Sequence, residues 1–232
     1  MSYHYSATAL PKTDMHAVGL YAGGIKRGLD ILFSAVLLIL LSPILLITAI
    51  VSAIDTKGSP FFCQWRGGVD GKPFCIVKFR TMSTEAPANV ATCQLKNPEQ
   101  YISRVGRLLR KSSLDELPQL WNILIGDMSF IGPRPVVLTE KRLLGLRHRN
   151  GADHVRPGLT GLAQISGRDD LPIYKKARLD AFYAHNMSLK GDLHILVKTV
   201  CCVLKADGVN DGPRRQEKAA KHTTDVKKRK SA

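Results

Sequence analysis

The chain has 232 residues, a formal net charge of +15 and a sequence pI of about 9.8, which is length enough for one domain with a real core plus appendages. The cationic excess points to a phosphate-bearing partner: nucleic acid, anionic lipid or nucleotide. The five cysteines are odd in number and form no C-x-x-C pair, which excludes a cysteine zinc site and a disulfide framework and favours a reducing compartment.

Residues 1–24 lack periodicity and read as a flexible arm. The next segment decides the class. "ILFSAVLLILLSPILLITAIVSAI", residues 31–54, carries no charge and is long enough to cross a bilayer. It is too long and too far inside the chain for a signal peptide, and the competing reading is a fully buried core helix. Ser42-Pro43 lies near its middle, where the proline removes a backbone hydrogen bond and Ser42 can bond back to a freed carbonyl. Both flanks are cationic, with Lys26 and Arg27 before and Lys57, Arg66 and Lys72 after. A helix that enters, bends at Ser42-Pro43 and returns to the same face satisfies both.

"SPFFCQWRGGVDGKPFCIVKFRTM" reads as a β-hairpin, two runs rich in Phe, Val and Ile around Asp70-Gly71. In its second arm Lys78 and Arg80 alternate with Val77 and Phe79 and share one face. "YISRVGRLLRKSS" has helical spacing and carries Arg104, Arg107, Arg110 and Lys111, expected to cluster beside the next segment.

That segment, "RKSSLDELPQLWNILIGD", places Asp115 and Glu116 side by side. Ser113 and Glu116 have capping-box spacing, yet Pro118 would then fall inside the helix, where it is costly. Starting the helix at Pro118 leaves the two carboxylates just before it, near unpaired backbone N–H groups, as an anion or metal-phosphate site. Capping and site readings both stand on this stretch alone. Leu117, Leu120, Trp121 and Leu124 give a buried face at helical spacing, and Gly126 ends the helix.

Farther on, Arg134 lies between Pro133 and Pro135. Rigid backbone on both sides suits a guanidinium that clamps phosphate, and a surface turn is the alternative. "RPGLTGLAQISGRDD", residues 156–170, is turn-rich and carries Arg156, Arg168, Asp169 and Asp170. Two helical stretches follow, "IYKKARLDAFYAHN", with Asp180, and "DLHILVKTVCCVLKA", the latter suited to the core or to a membrane interface. From about residue 207 the chain is a basic tail expected to be disordered and drawn to anionic lipid. There is no internal repeat, zinc spacing, serine elbow, Walker motif or dinucleotide fingerprint. The tail has no aromatic residue, which argues against nucleic acid as partner.

Four segments, "KRGLDILFSAVLLILLSP", the hairpin, "RVGRLLRKSSLDELPQLWNILIGDMSFIGPRP" and "RPGLTGLAQISGR", resemble in sequence and order those of the polyprenyl-phosphate hexose-1-phosphate transferases, the small monotopic phosphoglycosyl transferases of bacterial glycan assembly. The resemblance runs from about Lys26 to Val209. Leu162 and Ser166 depart from a common tryptophan and asparagine and bear on substrate preference. The resemblance implies that Asp115 is the catalytic nucleophile and that Glu116 helps hold Mg²⁺, the expected cofactor. It associates Lys78, Arg80, Arg110, Arg134, Arg168 and Asp180 with donor and phosphate binding or site assembly. For Arg156 and Arg168 a structural role is the alternative.

The resemblance also implies a UDP-sugar donor, an undecaprenyl phosphate acceptor and release of UMP through an aspartyl-phosphosugar intermediate. The enzyme would sit at the bacterial inner membrane among anionic inner-leaflet lipids, its catalytic domain on the cytoplasmic face, and its product would pass to downstream glycosyltransferases. The rival is a non-catalytic scaffold of a glycan-assembly complex. The expected fold is α+β and mainly helical, with a membrane-inserted re-entrant broken helix at 25–56, a cytoplasmic domain with a short hairpin at 57–206 and a tail at 207–232.

Overall fold

The computed structural model describes residues 19–87, 95, 97–167 and 171–204. Arg168, Asp169, Asp170 and the basic tail lie outside the described residues. Helices α1 (Lys26–Leu40) and α2 (Ser42–Thr56) follow helical residues that begin at Gly19 and include a π-helical turn, Tyr21–Ile25. Residues 19–24 are therefore part of the helical run and not of the expected arm. The wider π turn brings residues five apart to one side: the Tyr21 hydroxyl and the Lys26 ammonium both reach Asp192 Oδ2, each at 2.6 Å.

No single helix among the described residues is long and apolar enough to cross a membrane; Tyr21–Leu40 and Ser42–Thr56 are so together, bent by 66°. The bend is at the expected place. Pro43 has no N–H for the Ile39 carbonyl, and the Ser42 hydroxyl donates to that carbonyl at 2.8 Å. Large apolar side chains of both helices, among them Leu32, Phe33, Ile39, Leu46, Ile47 and Ile54, are exposed. Polar residues face inward instead: Ser34, Thr48, Ser52 and Thr56 are buried.

The charges at the head of α1 are docked on protein. Lys26 pairs with Asp192. Arg27 donates to the carbonyls of Ile123 and Leu124 at 2.6 and 2.8 Å. The buried Asp30 accepts the Phe130 N–H at 3.1 Å.

Strands β1 (Phe61–Gly67) and β2 (Pro73–Phe79) form the expected antiparallel hairpin, in register from Phe61↔Phe79 to Gly67↔Pro73. Its turn takes Asp70 and Gly71 to φ 52° and 73°, left-handed values that Asp and Gly tolerate best. Helix α3 (Arg104–Lys111) is capped by Ser103, whose hydroxyl accepts the Gly106 N–H at 2.7 Å. A 3₁₀ turn, Leu114–Glu116, leads through the N-cap Pro118 into α4 (Gln119–Ile125), which ends at Gly126, φ 104°. The helix thus starts one residue after the expected Pro118, which caps it and does not open it. No capping box forms, because Ser113 is left-handed at φ 58° and its side chain makes no cap bond.

The buried face of α4 differs from the expected one. Leu120 and Ile123 point inward with Asn122, whereas Trp121 is 53% exposed. The rotation follows from Asn122, which serves β2 as an extra strand would: its Oδ1 accepts the Val77 N–H at 3.0 Å and its Nδ2 donates to the Cys75 carbonyl at 2.8 Å.

Strands β3 (Ser129–Ile131) and β4 (Gly158–Thr160) pair in parallel, Ser129↔Gly158 and Ile131↔Thr160. Helices α5 (Lys141–Asn150), α6 (Leu162–Ile165), α7 (Ile173–His185) and α8 (Leu189–Leu204) complete the described residues. The stretch read as turns from 156 thus holds a strand and a short helix. Its glycines serve close approach: a Cβ on Gly158 would lie 2.1 Å from the Gly132 nitrogen. The α+β, mainly helical class holds. One core cluster joins Phe74 and Ile76 of β2 to Leu120, Ile123 and Met128, with Leu37, Leu38 and Leu41 packed against it. A second joins Ile131, Leu162, Tyr183 and Ile195.

Replacing Asn122 with Leu keeps the volume but orphans two groups of β2. We expect a stability loss of roughly 1–3 kcal/mol, read as a lower melting temperature in detergent. An unchanged melting temperature would contradict the strand-partner role.

Candidate active site

Asp115 and Glu116 share the 3₁₀ turn between α3 and α4, and the turn satisfies its own amides, with Glu116 N–H on the Ser113 carbonyl and Leu117 N–H on that of Leu114, both at 3.2 Å. At three residues per turn, neighbouring side chains diverge by about 120°, so the two carboxylates meet different surroundings. Glu116 Oε1 receives both the Lys78 ammonium, at 2.7 Å, and the Arg134 guanidinium, at 3.2 Å. The side chains of Lys78 and Glu116 are 19% and 21% exposed. Among the described residues, no hydrogen bond reaches the Asp115 carboxylate.

Their proton affinities separate accordingly. Burial raises the Asp115 pKa, and the neighbouring Glu116 charge raises it further; Lys78, Arg110 and Arg134 oppose this, and the outcome is about 6. Burial also disfavours ionised Glu116, but the charges and hydrogen bonds of Lys78 and Arg134 prevail and hold its carboxyl well below the usual range. The pair therefore comprises a firmly ionised carboxylate tied to two cations and an untied one that stays mostly ionised at neutral pH.

Lys78, Arg110 and Arg134 come to the site as expected. Arg110 is oriented by the buried Thr81, whose hydroxyl accepts its Nε at 2.8 Å. Of the other α3 cations expected to cluster there, Arg107 turns to Glu99 on the surface at 3.0 Å. Arg80 donates to the Ser59 and Phe61 carbonyls at 2.9 and 3.3 Å and lies over the ring of Phe62, the cross-strand partner of Lys78, so it stays on the expected face but bonds to backbone carbonyls there.

Asp180 is not a phosphate contact: it is 2% exposed and takes Nε and Nη2 of Arg147 at 2.9 and 2.7 Å. Burial raises its pKa, against the pull of Arg147. Arg156 has the structural role, donating to the Gly126 carbonyl at the end of α4. Sequence reasoning missed Thr81, Asn122 and Arg147. A polar residue at 81 beside the Lys78–Arg80 run was the only local signal among them.

Among the described residues no group of three or more His, Cys, Asp or Glu side chains is placed to hold a metal ion. Magnesium is commonly held by one or two carboxylates together with substrate phosphates and water. Asp115 and Glu116 fit that donor set, because both cations occupy Oε1 of Glu116 and its Oε2 takes no hydrogen bond among the described residues.

In the metal-free protein the Asp115 carboxyl should titrate near pH 6 by ¹³C NMR, protonated below and ionised above. Replacing Lys78 with Met removes an opposing charge and should move that midpoint upward. A midpoint near the ordinary value of about 4 would contradict this account of the site.

Comparison with known proteins places the chain. Residues 21–206 match the family described as bacterial sugar transferase. The sugar transferase EpsL of Bacillus subtilis is 41% identical over 191 residues, covering 80% of this chain and 90% of that protein. The UDP-glucose:undecaprenyl-phosphate glucose-1-phosphate transferase of Caulobacter vibrioides is 40% identical, covering 78% of this chain and 70% of the relative. The undecaprenyl-phosphate galactose phosphotransferase of Salmonella typhimurium is 39% identical over 79% of this chain, which spans 41% of that longer protein. With its matched region taking in α1, the hairpin, the carboxylate turn and every helix up to α8, the chain belongs to the bacterial sugar transferase family.

Proposed function

We propose that this protein transfers a hexose-1-phosphate from a UDP-hexose to undecaprenyl phosphate, yielding polyprenyl-diphospho-sugar and UMP, as the initiating membrane step of assembly of a bacterial surface glycan. The carrying observation is the asymmetric carboxylate pair. Among the described residues, one carboxylate takes no hydrogen bond and the other is tied to the two cations that would meet a diphosphate. The names of two relatives, a glucose-1-phosphate and a galactose phosphate transferase acting with undecaprenyl phosphate, support the donor and acceptor classes.

In this reading the donor's diphosphate lies against Lys78, Arg110 and Arg134, which neutralise its charge. An Asp115 oxygen attacks the β-phosphorus; the bond from that phosphorus to the bridging oxygen breaks, and UMP leaves with the electron pair. The acceptor's phosphate oxygen then attacks the same phosphorus and releases the Asp115 carboxylate. Glu116 holds Lys78 and Arg134 at the mouth of the site and, with Asp115, would hold Mg²⁺. When bound, that ion supplies charge neutralisation to the phosphates. Two carboxylates on adjacent residues of one turn diverge and do not face each other across a scissile bond, so glycosidase chemistry does not fit.

The exposed apolar surface of α1 and α2 and their 66° bend support insertion of the pair into one leaflet of the inner membrane, with the catalytic domain on the cytoplasmic side. There cytosolic donor and lipid-borne acceptor phosphate meet at the headgroup plane. The net charge of +15 favours anionic lipid at that surface.

Two measurements test this. Intact-protein mass spectrometry after incubation with a panel of UDP-sugars and Mg²⁺, without acceptor, should show one hexose phosphate added. Asp115→Asn should abolish the adduct and lower UMP release at least about a thousandfold, and EDTA should stop turnover. Substantial activity of Asp115→Asn would exclude the covalent route. In spheroplasts, a cysteine placed before Lys26 should resist a membrane-impermeant maleimide added from the periplasmic side; prompt labelling would sink the one-leaflet topology.

A further inference from the structure

We infer that Arg147 is a positioning residue for the site, fixing the backbone from which Arg134 reaches Glu116, with Asp180 holding Arg147 in place. The inference deepens the proposed function and rests on it for the part played by the donor's phosphates.

The segment Pro133–Val136 needs such a clamp. Pro133 and Pro135 have no N–H, so the segment is anchored through its carbonyls, and all four are engaged. Pro133 accepts the Gly158 N–H at 2.9 Å, and Val136 accepts that of Gly67 at 3.0 Å. Pro135 accepts Nη1 of Arg66 at 3.3 Å, and Arg134 accepts Nη1 of Arg147 at 2.9 Å. Close packing does not substitute for these bonds everywhere, because Pro133, Pro157 and Arg147 line a cavity of about 290 Å³.

Arg147 divides its planar fork between two tasks. Nε and Nη2 grip Asp180 Oδ2, and Nη1 is left to point at the Arg134 carbonyl. Arg147 and Asp180 are 6% and 2% exposed, so water competes little for the hydrogen bonds between them. A lysine at 147 keeps the charge beside Asp180 but concentrates its donors on one nitrogen and cannot span both partners. The clamp thus connects a carboxylate on α7, through a side chain of α5, to an arginine whose own guanidinium is half exposed at the carboxylate pair.

Arg147→Lys and Asp180→Asn, each alone and with Arg134→Ala, test this in the full-length protein. Arg147→Lys should lower kcat/KM for the UDP-sugar roughly 10- to 100-fold, the scale of a small misplacement in an active site. In the Arg134→Ala background it should change kcat/KM by no more than about twofold, since the group it positions is gone. Any fall in melting temperature should be equal in both backgrounds. A general structural role predicts multiplicative losses instead.

Hydrogen exchange reads the clamp without turnover. The Gly67 and Gly158 amides, which donate into the segment, should exchange faster in Arg147→Lys and in Asp180→Asn than in the wild type. Multiplicative losses in kcat/KM, or unchanged exchange at both glycines, would overturn the inference. An inactive wild type with faster exchange in the variants would refute the proposed reaction and leave the clamp standing.

Discussion

Two carboxylates on successive residues of one partly buried turn repel each other and resist desolvation, and the rest of the domain is arranged around that cost. Lys78 and Arg134 converge on one oxygen of Glu116, and Arg110 adds its field at Asp115. Each cation arrives from a different element, so each imposes a demand on the fold. Lys78 requires β2 to run beside the turn, which the Asn122 side chain secures from α4 by satisfying two backbone groups of that strand. Arg134 requires a proline-flanked segment whose carbonyls are engaged one by one. Arg110 requires α3 to end just before the turn, and Thr81 sets its orientation. The carboxylates sit where a strand, a helix end and a rigid loop meet.

The apolar helix pair belongs to the same arrangement. Lys26 and Arg27 read in sequence as the charged flank of a hydrophobic segment, yet they bind protein, as does Asp30. Arg27 and Arg156 together take the carbonyls at the C-terminal end of α4, where the helix dipole favours positive charge. The carboxylate turn lies just before the other end of α4. A short helix thus has its tail held by the head of α1 and its front facing the reaction site. Displacement of the apolar pair relative to the domain would be felt directly at the carboxylates.

What was legible in the sequence was local. Pro118 and Gly126 marked the limits of α4, Asp70-Gly71 the hairpin turn and Ser42-Pro43 the bend, because each acts through its own backbone dihedrals or missing N–H. What escaped was set at long range. Trp121 looked like part of a buried stripe, but Asn122 claims the inward direction by bonding residues 45 and 47 positions away. The parallel pairing of β3 with β4 has no signature in three-residue strands, and the glycines that permit it read as turns. Asp180 was visible as an acidic position, but its partner Arg147, 33 residues earlier, could not be picked out among the other cations of α5.

The proposed division of labour between the two carboxylates rests on which of them the cations touch. A nucleophile that accepted two charge-assisted hydrogen bonds would have its lone pairs committed and its basicity depressed, as Glu116 does. Asp115 keeps a proton affinity near pH 6 because burial and its neighbour's charge act on it while the hydrogen bonds go elsewhere. Environments that push adjacent pKa values apart are the usual sign of separate roles. Under the proposed reaction, an arriving diphosphate competes with Glu116 for Lys78 and Arg134, so those cations exchange one oxyanion for another without crossing an uncompensated state. In that proposal Glu116 is the placeholder for the donor's phosphates.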